Sequence, residues 1–164
     1  MNKVRLGFVP SVRNRGRGAE WYDKMRVESI AALSSLANVA LVAPRVCPSD
    51  GAYDPEQGYT VEGVVTGLDD AEGLARYFQQ QRVDGLILCP LNFGDERSAV
   101  KIAELLRVPV LLYATKEPPT PDDVSLARAS DSYCGNLSMA SGLYRRKIPF
   151  HYAGLFFPHE PELR

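Results

Sequence analysis

The six residues Gly85 to Pro90, GLILCP, constrain this chain more than any other stretch. No polar residue alternates with the apolar ones, so a strand built from them has no face suited to water. A short apolar run bounded by turn residues reads as a strand buried on both sides, as in a parallel sheet with helices above and below. Pro90 has no N–H to give to a ladder, so the strand is expected to stop near Cys89. Leu91, Asn92, Phe93, Gly94, Asp95 and Glu96 then stand at the carboxyl end of a central strand. Open α/β sheets collect their ligands there, in the crevice at the topological switch point.

The remaining elements alternate around that strand. Val4 to Pro10 forms a first strand, followed by a loop from Ser11 to Gly18 and a helix over Ala19 to Leu36 with Tyr22, Met25, Ser29, Leu33 and Leu36 on one face. Val39 to Ala43 is a second strand, and Cys47 to Thr60, rich in Pro, Gly, Asp and Tyr, reads as loop. Val64 to Thr66 is a brief strand or an extended lead-in to a helix that Asp69 or Asp70 caps and that runs to Gln80. In that helix Ala71, Leu74, Ala75 and Phe78 make an apolar stripe; Ala99, Ile102, Ala103 and Leu106 do the same in a helix over Glu96 to Leu106. Val108 to Tyr113 is the next strand. Asp131 caps a last helix, Ser132 to Lys147, and Phe150 to Phe157 is the fifth strand. Strands and helices alternating over short links mean a parallel sheet with right-handed crossovers. The expected fold is therefore α/β: a three-layer, Rossmann-like (flavodoxin-like) domain with a mostly five-stranded parallel sheet. Residues 114–130, with Pro118, Pro119 and Pro121, form a long loop expected to be mobile, and residues 158–164 look like the start of a linker to a further domain.

Composition narrows the class of function. The 164 residues suit one domain, and 45% hydrophobic residues, 24% charged residues and a net charge of -1 describe a soluble globular chain. That balance gives no reason to expect nucleic acid or an anionic membrane as partner. No apolar run approaches the roughly 20 residues that span a bilayer. The N-terminus meets Pro10 and then an arginine cluster too soon for a secretory signal, and Cys47, Cys89 and Cys134 are too widely spaced for a zinc motif or disulfide framework. A reduced, cytoplasmic protein is the default expectation.

Polar side chains gather in the loops at one end of the sheet. Arg13, Arg15 and Arg17 alternate with Asn14, Gly16 and Gly18 after the first strand, without the spacing of a GxGxxG or P-loop motif. Asn92, Asp95 and Glu96 follow the central strand; Thr115, Lys116 and Glu117 follow the next; Asp131, Tyr133 and Asn136 open the last helix. Such groups around an aromatic, Phe93 or Tyr133, suit a polyol whose hydroxyls both donate and accept. The plainer readings are a solvated basic turn for the arginines and helix-terminus roles for Asp95, Glu96 and Asp131. His151 and His159 lie far along the chain, no HExxH or carboxylate–histidine cluster is visible, and no serine sits in a GxSxG context. Catalytic and metal-ligating residues are therefore expected to be absent from this chain.

Several stretches resemble the L-fucose isomerase and L-arabinose isomerase family, in particular its fucose isomerase-like branch. They are LGFVPSVRNRGRG, VDGLILCPLNFGDE, PVLLYATKEP and, most specifically, DSYCGNLSMASGLYRRKIPFHYAG. The resemblance implies the N-terminal Rossmann-like domain of a longer enzyme that converts an aldose to a ketose with a divalent metal, typically manganese, polarising the two oxygens. It further implies that the metal ligands lie in later domains and that the isolated chain is inactive. By the same resemblance the domain joins a homo-oligomer, a hexamer, and lends residues to a neighbouring subunit's sugar site. The substrate-binding candidates are then Arg13, Arg15 and Arg17, with Arg15 the aligned choice, together with Asn92, Phe93, Lys116, Tyr133 and Asn136. The adjacent arginines of the fucose isomerase pattern are not matched in the first loop. The alternative is a non-enzymatic sugar-binding or regulatory domain of periplasmic-receptor type, which shares the VDGLIL strand. A flavodoxin-like FMN domain is a weaker third.

Overall fold

The computed structural model describes residues 3–16, 18–119 and 130–161. In chain order the elements are β1 (Val4–Ser11), α1 (Ala19–Ser34), β2 (Val39–Val42), β3 (Arg45–Val46), β4 (Tyr59–Thr60), α2 (Leu68–Gln80), β5 (Gly85–Pro90), α3 (Glu96–Leu106), β6 (Val110–Thr115), α4 (Ser132–Arg145) and β7 (Phe150–Phe156). Five strands form one parallel sheet in the order β2-β1-β5-β6-β7, the doubly wound order expected of a flavodoxin-like domain. Every residue of β5 is buried, as its uninterrupted apolar sequence requires.

Successive β5 side chains enter two separate cores. Leu86 and Leu88 pack with Leu74 and Phe78 of α2, Ile102 of α3, and Met139 and Leu143 of α4. Ile87 and Cys89 face the other way, onto Tyr22, Met25 and Leu33 of α1 and onto Tyr113. The sheet is therefore the middle of three layers, with α1 on one side and α2, α3 and α4 on the other.

Four local expectations need correction. Residues 47–60 are more than loop. Asp54 accepts the Gln57 N–H at 3.3 Å and caps a single 3-10 turn, Pro55–Gln57, and Gly58 (φ 81) returns the chain so that β3 and β4 pair in parallel. Neither Asp69 nor Asp70 is the N-cap of α2, because Gly67 holds that position; the buried Asp70 carboxylate instead accepts the Thr66 N–H and the Tyr53 O–H, both at 2.7 Å. Asp131 precedes α4 but makes no side-chain cap, its backbone being left-handed (φ 60); the Glu117 carboxylate accepts its N–H at 2.6 Å and that of Ser130 at 2.9 Å. β5 and β6 each reach past their expected ends, to Pro90 and Thr115, and β6 begins after Pro109. Of the 114–130 loop, residues 120–129 lie outside the described residues, as does the expected mobility.

Candidate functional site in the switch-point crevice

The chain leaves β1 to one side for β2 and returns to the other side for β5, so the switch point lies between β1 and β5. Beyond Gly7↔Val42 β2 has ended, and the segment around Val65 takes its place: Val65 donates to the Pro10 carbonyl at 2.8 Å, and Val12 donates to the Val65 carbonyl at 3.0 Å. Three loops thus converge on the end of β1.

Asn92 joins two of them. Its Oδ1 accepts the N–H of Arg13 and that of Gly94, each at 2.9 Å, while Nδ2 donates to the Asn14 carbonyl at 3.0 Å. Ser11 reinforces the joint, since Oγ accepts the Asp95 N–H at 2.8 Å and donates to the Asp95 carbonyl at 3.2 Å. Asp95 in turn caps α3, accepting the Ser98 hydroxyl at 2.7 Å. The Arg13 guanidinium lies 4.1 Å above the Phe93 ring and pairs with Glu96 at 2.5 Å. The Tyr22 hydroxyl lies within hydrogen-bond reach of the Glu62 carboxylate and, at 2.7 Å, of the Arg15 carbonyl, holding the arginine loop against α1. Burial first, and then that carboxylate, push the Tyr22 pKa well up, so it stays a neutral phenol.

Beside this joint opens a cleft of about 410 Å³ lined by Arg15, Tyr53, Thr66, Gly67, Leu68, Asp69, Asp70 and Arg97. Its donors and acceptors are mixed. Arg15 makes no side-chain hydrogen bond or ion pair with a described residue, and Arg97 only approaches Asp95 at 3.9 Å. Asp69 is exposed, and the Thr66 hydroxyl is buried without a partner. Asp70 and Tyr53 are already committed to each other; burial, followed by the Asp70 hydrogen bond, pushes the Tyr53 pKa up. Two guanidinium groups, a free carboxylate and an orphan hydroxyl fit a ligand that both donates and accepts.

Of the residues singled out from sequence, Arg13, Asn92 and Phe93 touch one another, and Arg15 lines the cleft beside them. Arg17 lies outside the described residues. α4 comes in against the same loop: a Cβ on Gly135 would sit 1.9 Å from the Phe93 carbonyl oxygen. That approach puts Tyr133, half exposed, and Asn136, buried with Oδ1 unpartnered, on the α4 segment next to the joint. Lys116 stands apart. It pairs with Glu160 at 2.6 Å and lies 5.5 Å from the centre of the Phe157 ring. Sequence reasoning missed Arg97, Thr66 and Tyr53 in the cleft. It also missed Ser132, whose Oγ donates to the Pro90 carbonyl and accepts the Thr115 N–H at 2.9 Å. Arg97 follows two residues already singled out and could have been read with them. Thr66 and Tyr53 gave no local signal, since only the pairing of residue 65 with β1 brings their segment to the crevice.

A profile described as the N-terminal domain of fucose/sulfoquinovose isomerase matches residues 50–158. The chain belongs to this family. The matched stretch contains Asn92, Phe93, Arg97 and all of α4 but not the arginine loop after β1. No curated protein matches the chain. Among solved structures it is similar to an azoreductase from Bacillus anthracis str. Sterne, at 11% identity and a TM-score of 0.40, over 93% of this chain and 86% of that one. It is also similar to the periplasmic binding protein component of an arabinose ABC transporter from Shewanella sp. ANA-3, at 11% identity and TM-score 0.39, over 92% of this chain and 55% of that one. An ABC transporter solute binding protein from Bacillus halodurans C-125 shows 9% identity and TM-score 0.33, over 94% and 57%. Likenesses this distant carry no argument about chemistry.

The donor set does not fit a resident metal ion. Among the described residues no three His, Cys, Asp or Glu side chains converge as ligands, and a lone free carboxylate, Asp69, remains at the crevice, since Asp70 is engaged by Tyr53 and Thr66, Asp95 by α3 and Glu96 by Arg13. No step through a metal is therefore assigned to these residues.

Proposed function

We propose that this family member supplies one wall of the sugar pocket of a metal-dependent aldose–ketose isomerase, together with oligomer contacts. The observation that supports this reading is the family match over residues 50–158. The crevice adds chemical sense. Arg15 and Arg97 donate to sugar hydroxyls, Asp69 accepts from them, and Phe93 beneath Arg13 offers an apolar surface. The chain's own residues bind and orient. Proton or hydride movement between C1 and C2, and the divalent metal that assists it, manganese by expectation, belong to residues outside this chain.

The test is manganese-dependent isomerisation of L-fucose, D-arabinose, L-arabinose and sulfoquinovose by the full-length polypeptide, with Arg15→Gln and Arg97→Gln alongside. Turnover of one of these sugars, falling about tenfold or more in kcat/KM in Arg15→Gln, supports the reading. Absence of turnover for all four sugars overturns it. Micromolar sugar binding by the isolated chain, without metal or partner subunit, would move the non-enzymatic sugar-binding reading to the front. A hexamer in solution is the expected assembly, and its mass is a direct measurement.

A further inference from the structure

The opposite pole of the sheet carries a groove that the sugar reading does not use. Arg107, Val108 and Pro109 lead from α3 into β6, and Lys147, Ile148 and Pro149 lead from α4 into β7. β6 and β7 are neighbours, with Val110 opposite Phe150, so the two turns lie side by side. Each turn repeats one pattern: a cation, a β-branched residue, a proline. Arg107 and Lys147 both have φ 54, a left-handed conformation for which glycine is the usual residue after a helix.

Between the turns lies a groove of about 600 Å³. Half-buried Val108, Ile148 and Phe150 line it, and exposed Arg107, Arg146 and Lys147 border it. The charge is one-sided. Glu104 is the one carboxylate in the lining, and it is shared by Lys101 at 3.3 Å and Arg146 at 3.9 Å. Arg107 and Lys147 pair with no carboxylate among the described residues. Pro109 and Pro149 have no N–H, and the Pro109 carbonyl already accepts from Leu86 at 2.9 Å, so the turns offer a polar group little besides the cations. The helix dipole accounts for each cation singly. It does not account for the groove: Arg82 ends α2 in the same conformation (φ 53) without lining it.

We propose that this groove binds a small amphipathic monoanion, its carboxylate or sulfonate head between Arg107 and Lys147 and its apolar body along Val108, Ile148 and Phe150. The volume lies within the roughly 300–1,000 Å³ of small-ligand sites, and the pairing of apolar lining with unpartnered cations matches that chemistry. The inference is independent of the sugar site.

Titration calorimetry of the full-length polypeptide with decanoate, kept below its micelle concentration, tests this, with decan-1-ol as the uncharged match. The expected result is one decanoate per chain, decanol weaker by about tenfold or more, and R107Q/K147Q weakening decanoate about tenfold while leaving decanol unchanged. Methyl resonances of Val108 and Ile148 shift on addition of decanoate. Raising the salt concentration weakens decanoate selectively, a measurement on the wild-type protein that holds even if the double variant folds poorly. Lack of decanoate binding, equal affinity for acid and alcohol, or an unchanged affinity in the folded double variant overturns the proposal.

Discussion

At the carboxyl pole of the sheet Asn92, Ser11, Ser132 and Glu117 all hydrogen-bond to backbone groups of neighbouring loops. At the amino pole the side chains of Arg82, Arg107 and Lys147 form no ion pair with a described residue. The difference follows from how the two sets of turns are made. Helix-to-strand turns close on themselves, as when Val83 donates back to the Phe78 carbonyl at 3.2 Å and Ile148 to the Leu143 carbonyl at 3.0 Å, so fewer of their side chains are drawn in, although Asp84 still accepts the Arg5 N–H at 2.8 Å. Strand-to-helix loops are longer and leave N–H groups without helical partners, and polar side chains are drawn into filling them. A polar residue at the ligand-bearing end of such a sheet is therefore as often part of the frame as part of the site.

Substitutions can break this contrast. The largest effect is expected from Gly135→Ala, where a methyl group would meet the Phe93 carbonyl at 1.9 Å; α4 must then lift off the joint, at a cost of about 3 kcal/mol in urea unfolding. Gly142→Ala on the same helix approaches the Val100 Cγ2 at 3.0 Å, which a shift of a few tenths of an ångström relieves, so the loss is about 1 kcal/mol. Equal losses would mean that the Phe93 contact is not special.

Asn92→Ala comes next, since it strands two N–H groups and a carbonyl; roughly 2 kcal/mol is expected from the same denaturation experiment. Asn92→Asp keeps both acceptor contacts but sets a carboxylate oxygen against the Asn14 carbonyl at a buried position, so it should also lose stability.

Alkaline pH probes the core directly beneath this pole. Burial pushes the Cys89 thiol from 9.0 up to about 12 and Tyr113 well above its usual value. In the unfolded chain these groups lose their protons first, so their contribution is complete below pH 9 and falls as pH rises from 9 towards 12. Stability measured across that window should drop steadily; a flat profile would contradict the burial of Cys89. The same burial predicts that a thiol reagent at pH 8 labels exposed Cys134 and leaves Cys89 untouched until unfolding.

The smallest change in stability is expected for Arg15→Gln, within about 0.5 kcal/mol, because its guanidinium forms no ion pair with a described residue. The variant's value lies in the contrast with Asn92→Ala: one should lose sugar affinity without stability, the other stability first. A destabilised Arg15→Gln would place that arginine in the frame.

Much of the frame was legible locally. The buried β5 run and the apolar stripes of α2 and α3 follow from residues close together in sequence. Expected ends differ from observed ones by a residue or two where a proline or a short turn competes, as at Pro90 and Pro109. The helix caps were harder. Asp131 has the right residue type in the right place, but a left-handed backbone turns it away from the cap, and Glu117 instead holds the Asp131 N–H itself from across a long loop.

The site divides along the same line. Sequence by itself determined that a parallel sheet would form, that its carboxyl end would carry Arg13, Arg15, Asn92 and Phe93, and which family the chain resembles, because periodicity and residue type are local properties. Only the tertiary structure decided which of those groups are left over for a ligand. Asn92 bonds to Arg13 across 79 residues, and Thr66 reaches the crevice only because β2 ends early. A hydrogen bond needs a partner within about 3 Å, and which groups come that close is settled when the strands align, not by their neighbours along the chain.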